Sequence, residues 1–188
     1  MKSQVTLKGG TALLDASKVL KRLDIKDSYV VADLGCGGGG HFIAPSARIV
    51  GESGKVYAID IQKRVLASLK SQLAIQDITN VELVWSDLEK YGAAKIPNGS
   101  CDVVIIINVL FQNTKHDLIL KEAKRFLRPG GRLAVIDWKE GAQPFGPPAH
   151  LRVPPQKIRE LAYDVGELLL IDDFDAGRYH YVLVFRRD

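Results

Sequence analysis

With two cysteines in 188 residues, the chain has no disulfide framework to hold it. Cys36 follows the end of one apolar run and Cys101 opens another. If those runs are neighbouring parallel strands, the sulfurs lie about 15–20 Å apart, which disulfide geometry forbids. No Cys/His cluster has ligand spacing, so no metal site is expected. No apolar run approaches the roughly 20 residues that cross a bilayer. The segment Met1 to Lys8 lacks the apolar core of a secretory signal, and a cytoplasmic setting is the expectation. There is no internal repeat, no low-complexity tract and no long basic tract with interleaved aromatics. The net charge of +4 comes from scattered lysines and arginines, so a solvated basic surface is favoured over a nucleic-acid partner.

What is present is ordinary for a globular protein: 46% hydrophobic and 26% charged residues. The length predicts a single domain over residues 1–188 with a substantial core. Apolar spacing predicts an amphipathic helix over 11–23, with Leu13, Ala16, Leu20 and Leu23 on one face. Further helices are expected over 41–50, 62–75, 114–127 and 155–165, the fourth capped by Thr114 and stopped at Arg128-Pro129-Gly130-Gly131. Strands are expected at 29–34, 55–60, 81–85, 102–107, 132–138, 168–174 and 179–186. Strand and helix alternate five times before a terminal hairpin joined at Asp175-Ala176-Gly177-Arg178. This is the pattern of an α/β, doubly wound, mostly parallel sheet with helices on both faces. Ligands in such sheets sit at the C-terminal strand ends, which here carry Asp33, Asp60, Asp87, Asn108 and Trp138.

The first of these ends is the most informative. The run Val30-Val31-Ala32-Asp33-Leu34 passes at once into Gly35-Cys36-Gly37-Gly38-Gly39-Gly40. Glycines at 35, 37 and 40 satisfy G-x-G-x-x-G, a turn whose backbone approaches a nucleotide-type ligand closely. Asp33 narrows the choice. A carboxylate two residues before the first glycine repels a pyrophosphate, whereas it attracts an ammonium and a sulfonium. The loop therefore points to S-adenosylmethionine rather than NAD.

Asp60, 25 residues after Gly35, is placed to accept hydrogen bonds from ribose hydroxyls or to cap the following helix. Ile61 beside it can cover an adenine face. Asp87 can accept from an adenine amine, with Leu88 as apolar contact, or it too can cap a turn. Asn108, followed by Val109, sets a polar group beside the glycine loop if the first and fourth strands are neighbours.

Five segments taken together resemble the class I S-adenosylmethionine-dependent methyltransferases: Val-Ala-Asp-Leu-Gly-Cys-Gly-Gly-Gly at 31–39, Val-Tyr-Ala-Ile-Asp at 56–60, Val-Trp-Ser-Asp-Leu at 84–88, Cys-Asp-Val-Val-Ile-Ile-Ile-Asn-Val-Leu at 101–110, and Leu-Arg-Pro-Gly-Gly-Arg-Leu-Ala-Val-Ile-Asp-Trp at 127–138. The last looks most like the ubiquinone/menaquinone-biosynthesis-type, small-molecule branch. The resemblance implies a Rossmann-like seven-strand sheet of order 3-2-1-4-5-7-6 with its last strand antiparallel. It implies that Asp33 and the backbone of Gly35, Cys36, Gly37 and Gly39 hold the methionine end of S-adenosylmethionine. Asp60 and Ile61 then serve the ribose and adenine, Asp87 and Leu88 border the adenine, and Asn108 with Val109 lines the floor near the methyl group. The four consecutive glycines depart from the usual motif and imply an unusually mobile turn.

The methyl acceptor is not written in the sequence. Trp138, Phe145, Tyr179 and His180, with the Gly146-Pro147-Pro148 turn, can wall an apolar pocket or serve as ordinary core. A small-molecule acceptor is the leading expectation. Asn108 is not followed by the Pro-Pro-aromatic signature associated with nucleobase amino methylation, so an RNA or protein acceptor ranks second. An NAD(P)-binding oxidoreductase and a non-catalytic cofactor-binding partner remain as further alternatives. His41, Asp137, Lys139, His150 and His180 lie near strand ends as candidate bases, and none is singled out.

Overall fold

A computed structural model describes residues 14–141 and 144–188. Seven strands form one sheet: β1 (Val30–Leu34), β2 (Lys55–Asp60), β3 (Val81–Trp85), β4 (Cys101–Ile107), β5 (Leu127–Trp138), β6 (Leu168–Asp175) and β7 (His180–Arg187). Their order is β3-β2-β1-β4-β5-β7-β6, as the motif resemblance implies. β1 to β5 are parallel, while β7 runs antiparallel to both β5 and β6. His180 opens β7 opposite Trp138, so the start of the last strand lies at the C-terminal ends of its parallel neighbours.

Alternation along the strands divides the core in two. Val31, Ile105, Ala134, Ile136 and Val182 face α1 (Ala16–Arg22), α2 (Ile43–Val50) and α3 (Lys63–Ile75). Leu34, Ile106, Leu133, Val135 and Leu183 face α4 (His116–Phe126) and α5 (Pro155–Val165). β4 is buried almost throughout because both of its faces are covered, which is why its sequence is a continuous apolar run.

α2 and α3 start one or two residues later than expected, and the starts of α1 and α4 differ in what caps them. Residues 11–13 of the expected first helix, Leu13 among them, lie outside the described residues. α1 itself begins at Ala16 because Asp15 is its cap, its carboxylate accepting from Lys18 N. α4 starts without help from Thr114. Glu89 Oε1 accepts from Thr114 N at 2.9 Å and Lys115 N at 3.1 Å, so a carboxylate from another loop does the work expected of the local hydroxyl. β5 is longer than expected and takes in Arg128–Gly131 through an irregularity opposite Cys101 and Val103.

Cys36 follows the C-terminal end of β1, and Cys101 begins the neighbouring β4. Both are free thiols. Burial pushes the Cys101 thiol up to about 12 and raises that of Cys36 as well. Native protein left in air and then alkylated in denaturant is expected to take two labels by mass spectrometry. A bridge between 36 and 101 would contradict the strand register.

Candidate functional site

The C-terminal edge of the sheet gathers nearly all of the buried polar side-chain atoms that lack a hydrogen-bond partner among the described residues. They are Asp33 Oδ1 after the middle of β1, Ser86 Oγ beyond β3, both amide atoms of Asn108 beyond β4, Asp137 Oδ2 and Trp138 Nε1 at the end of β5, and both ring nitrogens of His180 at the start of β7. Arg187 Nε, at the other end of β7, is the exception. Leaving one such group unsatisfied costs about 1–3 kcal/mol. A row of them along one edge makes that edge the candidate ligand site.

The glycine turn follows β1. Gly35 (φ 75°) and Gly37 (φ 63°) occupy the left-handed region, for different reasons. A Cβ on Gly35 would overlap the Val109 side chain, so Gly35 lets the loop after β4 close against the turn. A Cβ on Gly37 would meet nothing within 4 Å, so no packing inside the protein demands a glycine there. Gly39 packs on His41, whose ring would lie 2.9 Å from a Cβ. The turn is also pinned: Gly35 N and Cys36 N donate to Ile59 O, and Gln72 Nε2 donates to Gly38 O. These bonds fix a turn expected to be unusually mobile.

Asp33 is buried at 3% exposure. Burial first, and the nearby Asp60 charge second, raise its carboxyl to about 7. Asp60 Oδ2 accepts from Gly37 N at 3.2 Å and Oδ1 from Gln62 N at 2.8 Å. The carboxylate thus caps the entrance to α3 and ties it to the glycine turn. Ile61 is 57% exposed at this edge, an apolar surface with room for a flat ring. Asp87 is half-buried, with one oxygen accepting from Glu89 N and the other 3.6 Å from Lys90 Nζ, so its turn-capping role is visible. Leu88 and Val109 are buried beside it in the core. Asn108 adopts φ 54°, rare for a residue other than glycine. Its N–H donates to Ile136 O while its side-chain amide bonds nothing.

On the acceptor side, the Trp138 and His180 rings pack with centroids 4.1 Å apart and planes tilted by 42°. Both are buried rather than lining an open cleft. Burial, reinforced by the Lys139 and Arg152 charges, lowers His180 to about 4, so the imidazole is neutral at pH 7. Phe145 is exposed and meets the Tyr179 ring edge-on at 5.7 Å. Burial raises the Asp137 carboxyl to about 7, against the hydrogen bond that Oδ1 accepts from Trp138 N. Of the five candidate bases, His41 and His150 are exposed, and Lys139 pairs with Asp175 at 2.7 Å. Asp137 and His180 alone among the five keep buried, unpartnered atoms. They lie on opposite faces of the sheet, since Asp137 is registered with Tyr181 and Trp138 with His180.

Comparison with known proteins agrees with this geometry. A family profile described as a methyltransferase domain matches residues 25–172. The ubiquinone/menaquinone biosynthesis C-methyltransferase UbiE of Hahella chejuensis is 35% identical over 134 residues, covering 68% of this chain and 52% of that protein. The chain spans about half the length of the curated relatives it matches. A solved structure, an S-adenosylmethionine-dependent methyltransferase from Aquifex aeolicus, superposes with a TM-score of 0.86 at 27% identity over 95% of this chain and 92% of that one. The cyclase SpnF superposes with a TM-score of 0.76 at 16% identity over 92% of this chain and 80% of that one, a likeness of fold alone. The profile match, which takes in the glycine turn and every strand end from β1 to β5, settles the family: this chain belongs to the methyltransferase-domain family, in its class I S-adenosylmethionine-dependent group.

Proposed function

We propose that this chain transfers the methyl group of S-adenosylmethionine to a small-molecule acceptor, in a cytoplasmic setting. The observation that supports this most directly is Asp33, a buried carboxylate with an unpartnered oxygen two residues before a glycine loop. A cationic ligand answers both features. The remaining residues fit the same group. Gly37 offers its backbone without a packing reason to be glycine, Asp60 presents a carboxylate already oriented by two N–H groups, and Ile61 presents an apolar face. Asp33 with Gly35, Cys36, Gly37 and Gly39 would hold the methionine end. Asp60 and Ile61 would hold the ribose and adenine, with Asp87 and Leu88 at the border and Asn108 with Val109 at the floor. When bound, the cofactor supplies a methyl group already activated on sulfonium.

The chain's own part is to bind, orient and exclude water. Holding two reactants in line is worth ~7–11 kcal/mol in favourable cases. The acceptor side is formed by Trp138, Phe145, Tyr179 and His180, with Asn108 between it and the cofactor side. His180, neutral, can accept or donate one hydrogen bond at each ring nitrogen. Asp137, whose proton is lost near neutral pH, can hold or release one beneath the same strand end. A small acceptor suits this side because its polar atoms are few and buried among aromatic rings.

Thermal unfolding with S-adenosylmethionine, S-adenosylhomocysteine and NAD in parallel tests the cofactor. Ligand at a hundred times its dissociation constant adds about 2.7 kcal/mol. Stabilisation by the two sulfur ligands is expected, and a response to NAD alone would overturn the proposal. Phe145→Ala is expected to leave S-adenosylmethionine affinity within about threefold, under ~1 kcal/mol. Turnover of an identified acceptor should fall much further. Equal losses in both would place Phe145 over the cofactor instead.

A further inference from the structure

The loop after β5 contains a side chain that the sequence pattern does not single out. Arg152 is buried, at 8% exposure, and forms no ion pair among the described residues. Among the described residues its guanidinium donates only to backbone carbonyls. Nε reaches Pro147 O at 3.0 Å, Nη1 reaches Lys139 O at 3.0 Å and Gly141 O at 2.7 Å, and Nη2 reaches Phe145 O at 3.2 Å. A buried cation without a carboxylate is costly unless its N–H groups are satisfied. Here that requirement draws four carbonyls from one loop around a single planar group. The fork thereby fixes backbone, not another side chain.

What it fixes is the turn Phe145–Pro147 against Trp138. Gly146 has φ 87°, and a Cβ there would lie 2.6 Å from Trp138 Cε3, so the turn rests directly on the indole. The Arg152 Cζ stands 6.0 Å from the centre of the Trp138 ring. Trp138 Nε1 and the two His180 nitrogens, on the ring pair that the turn touches through the indole, are buried and unpartnered. Phe145 leans outward onto Tyr179. The turn therefore covers one face of that pair, and Arg152 holds it there.

We propose that Arg152 is a positioning residue: it clamps the 145–147 turn over the Trp138–His180 pair and so sets the wall of the acceptor side. This rests on the acceptor side assigned above. Lysine cannot substitute, because one ammonium on a flexible stem does not span four carbonyls held in the plane of a guanidinium.

The test needs no acceptor. The chain has two tryptophans, so Trp85→Phe leaves Trp138 as the sole indole reporter. In that background, Arg152→Ala and Arg152→Lys are expected to raise the acrylamide quenching constant of Trp138 at least threefold. S-adenosylmethionine affinity, by calorimetry, should stay within twofold. Ethylguanidinium is expected to restore protection to Arg152→Ala, and ethylammonium is not. A residue that merely stabilised the fold would lower the unfolding midpoint and leave quenching of the folded protein unchanged. Gly146→Ala, which pushes the turn off the indole with Arg152 intact, should reproduce the exposure and keeps the test open if the Arg152 variants do not fold. Unchanged quenching in the folded variants overturns the proposal, as does a parallel loss of cofactor affinity. A wild-type protein that fails to bind S-adenosylmethionine would instead sink the methyl-transfer reading and leave the quenching comparison standing.

Discussion

Gly37→Val is expected to reduce S-adenosylmethionine affinity by at least about 100-fold, roughly 2.7 kcal/mol, while the protein still folds. The residue sits at φ 63°, where a side chain costs about 1–2 kcal/mol. That strain lowers stability modestly. It does not account for the larger binding loss, because a Cβ at Gly37 touches no protein atom within 4 Å. Any added methyl groups therefore project into open space on the side proposed for the cofactor. Gly35→Ala supplies the contrast. Its φ of 75° is similar, but its Cβ runs into Val109, so its principal loss should be in unfolding free energy. Denaturant unfolding and calorimetry on both variants separate the two. Normal binding by Gly37→Val would mean the turn does not touch the cofactor.

Asp33→Asn should weaken S-adenosylmethionine by about 2–3 kcal/mol, roughly 30- to 150-fold, the worth of a hydrogen bond or ion contact to a charged group. Stability without ligand should move the other way. In the folded chain the Asp33 carboxyl titrates at about 7, against an ordinary value of 3.8, so the folded state binds the proton more tightly than the unfolded one. Its contribution is intact below pH 4 and is lost as pH rises toward 7. Above pH 7 the ionised, buried carboxylate costs on the order of a few kcal/mol. The Asn variant escapes that loss, so its melting temperature relative to wild type should climb between pH 4 and pH 7. Wild-type affinity for the cationic cofactor should strengthen as pH rises through about 7 and Asp33 ionises, and the variant should lack that rise. Unchanged affinity at pH 8 would remove Asp33 from the site.

The parallel sheet is legible in the sequence because apolar runs ending in acids or asparagine recur at the spacing of strand–helix units, whereas its strand order is legible only through the resemblance of its motifs to a known family. Burial on both faces leaves no other reading of Val103 to Ile107. Asp33, Asp60 and Asn108 are legible for the same reason, since each is the first polar residue after such a run. What escapes is any interaction whose partner is remote or carries no side-chain signature. Thr114 looks like the cap of α4, yet Glu89 reaches across from another loop to bond the N–H of Thr114 and Lys115. Arg152 binds carbonyls, which every residue possesses, so nothing in the pattern of side chains announces it. The packing of Trp138 on His180 depends on an antiparallel register between residues 42 positions apart. The difference between Gly35 and Gly37 is likewise invisible until Val109 is seen against one of them.

The reversal of β7 has a consequence for how such a protein diversifies. The residues proposed for the cofactor all lie in one unbroken stretch from Asp33 to Val109, whereas those proposed for the acceptor lie in a later stretch from Trp138 to His180. Because β7 enters the sheet from the ligand edge, its first residue reaches the site while its far end is anchored against β5 and β6. Exchange of the C-terminal third of the chain is therefore expected to change acceptor preference while leaving the residues proposed for the cofactor in place.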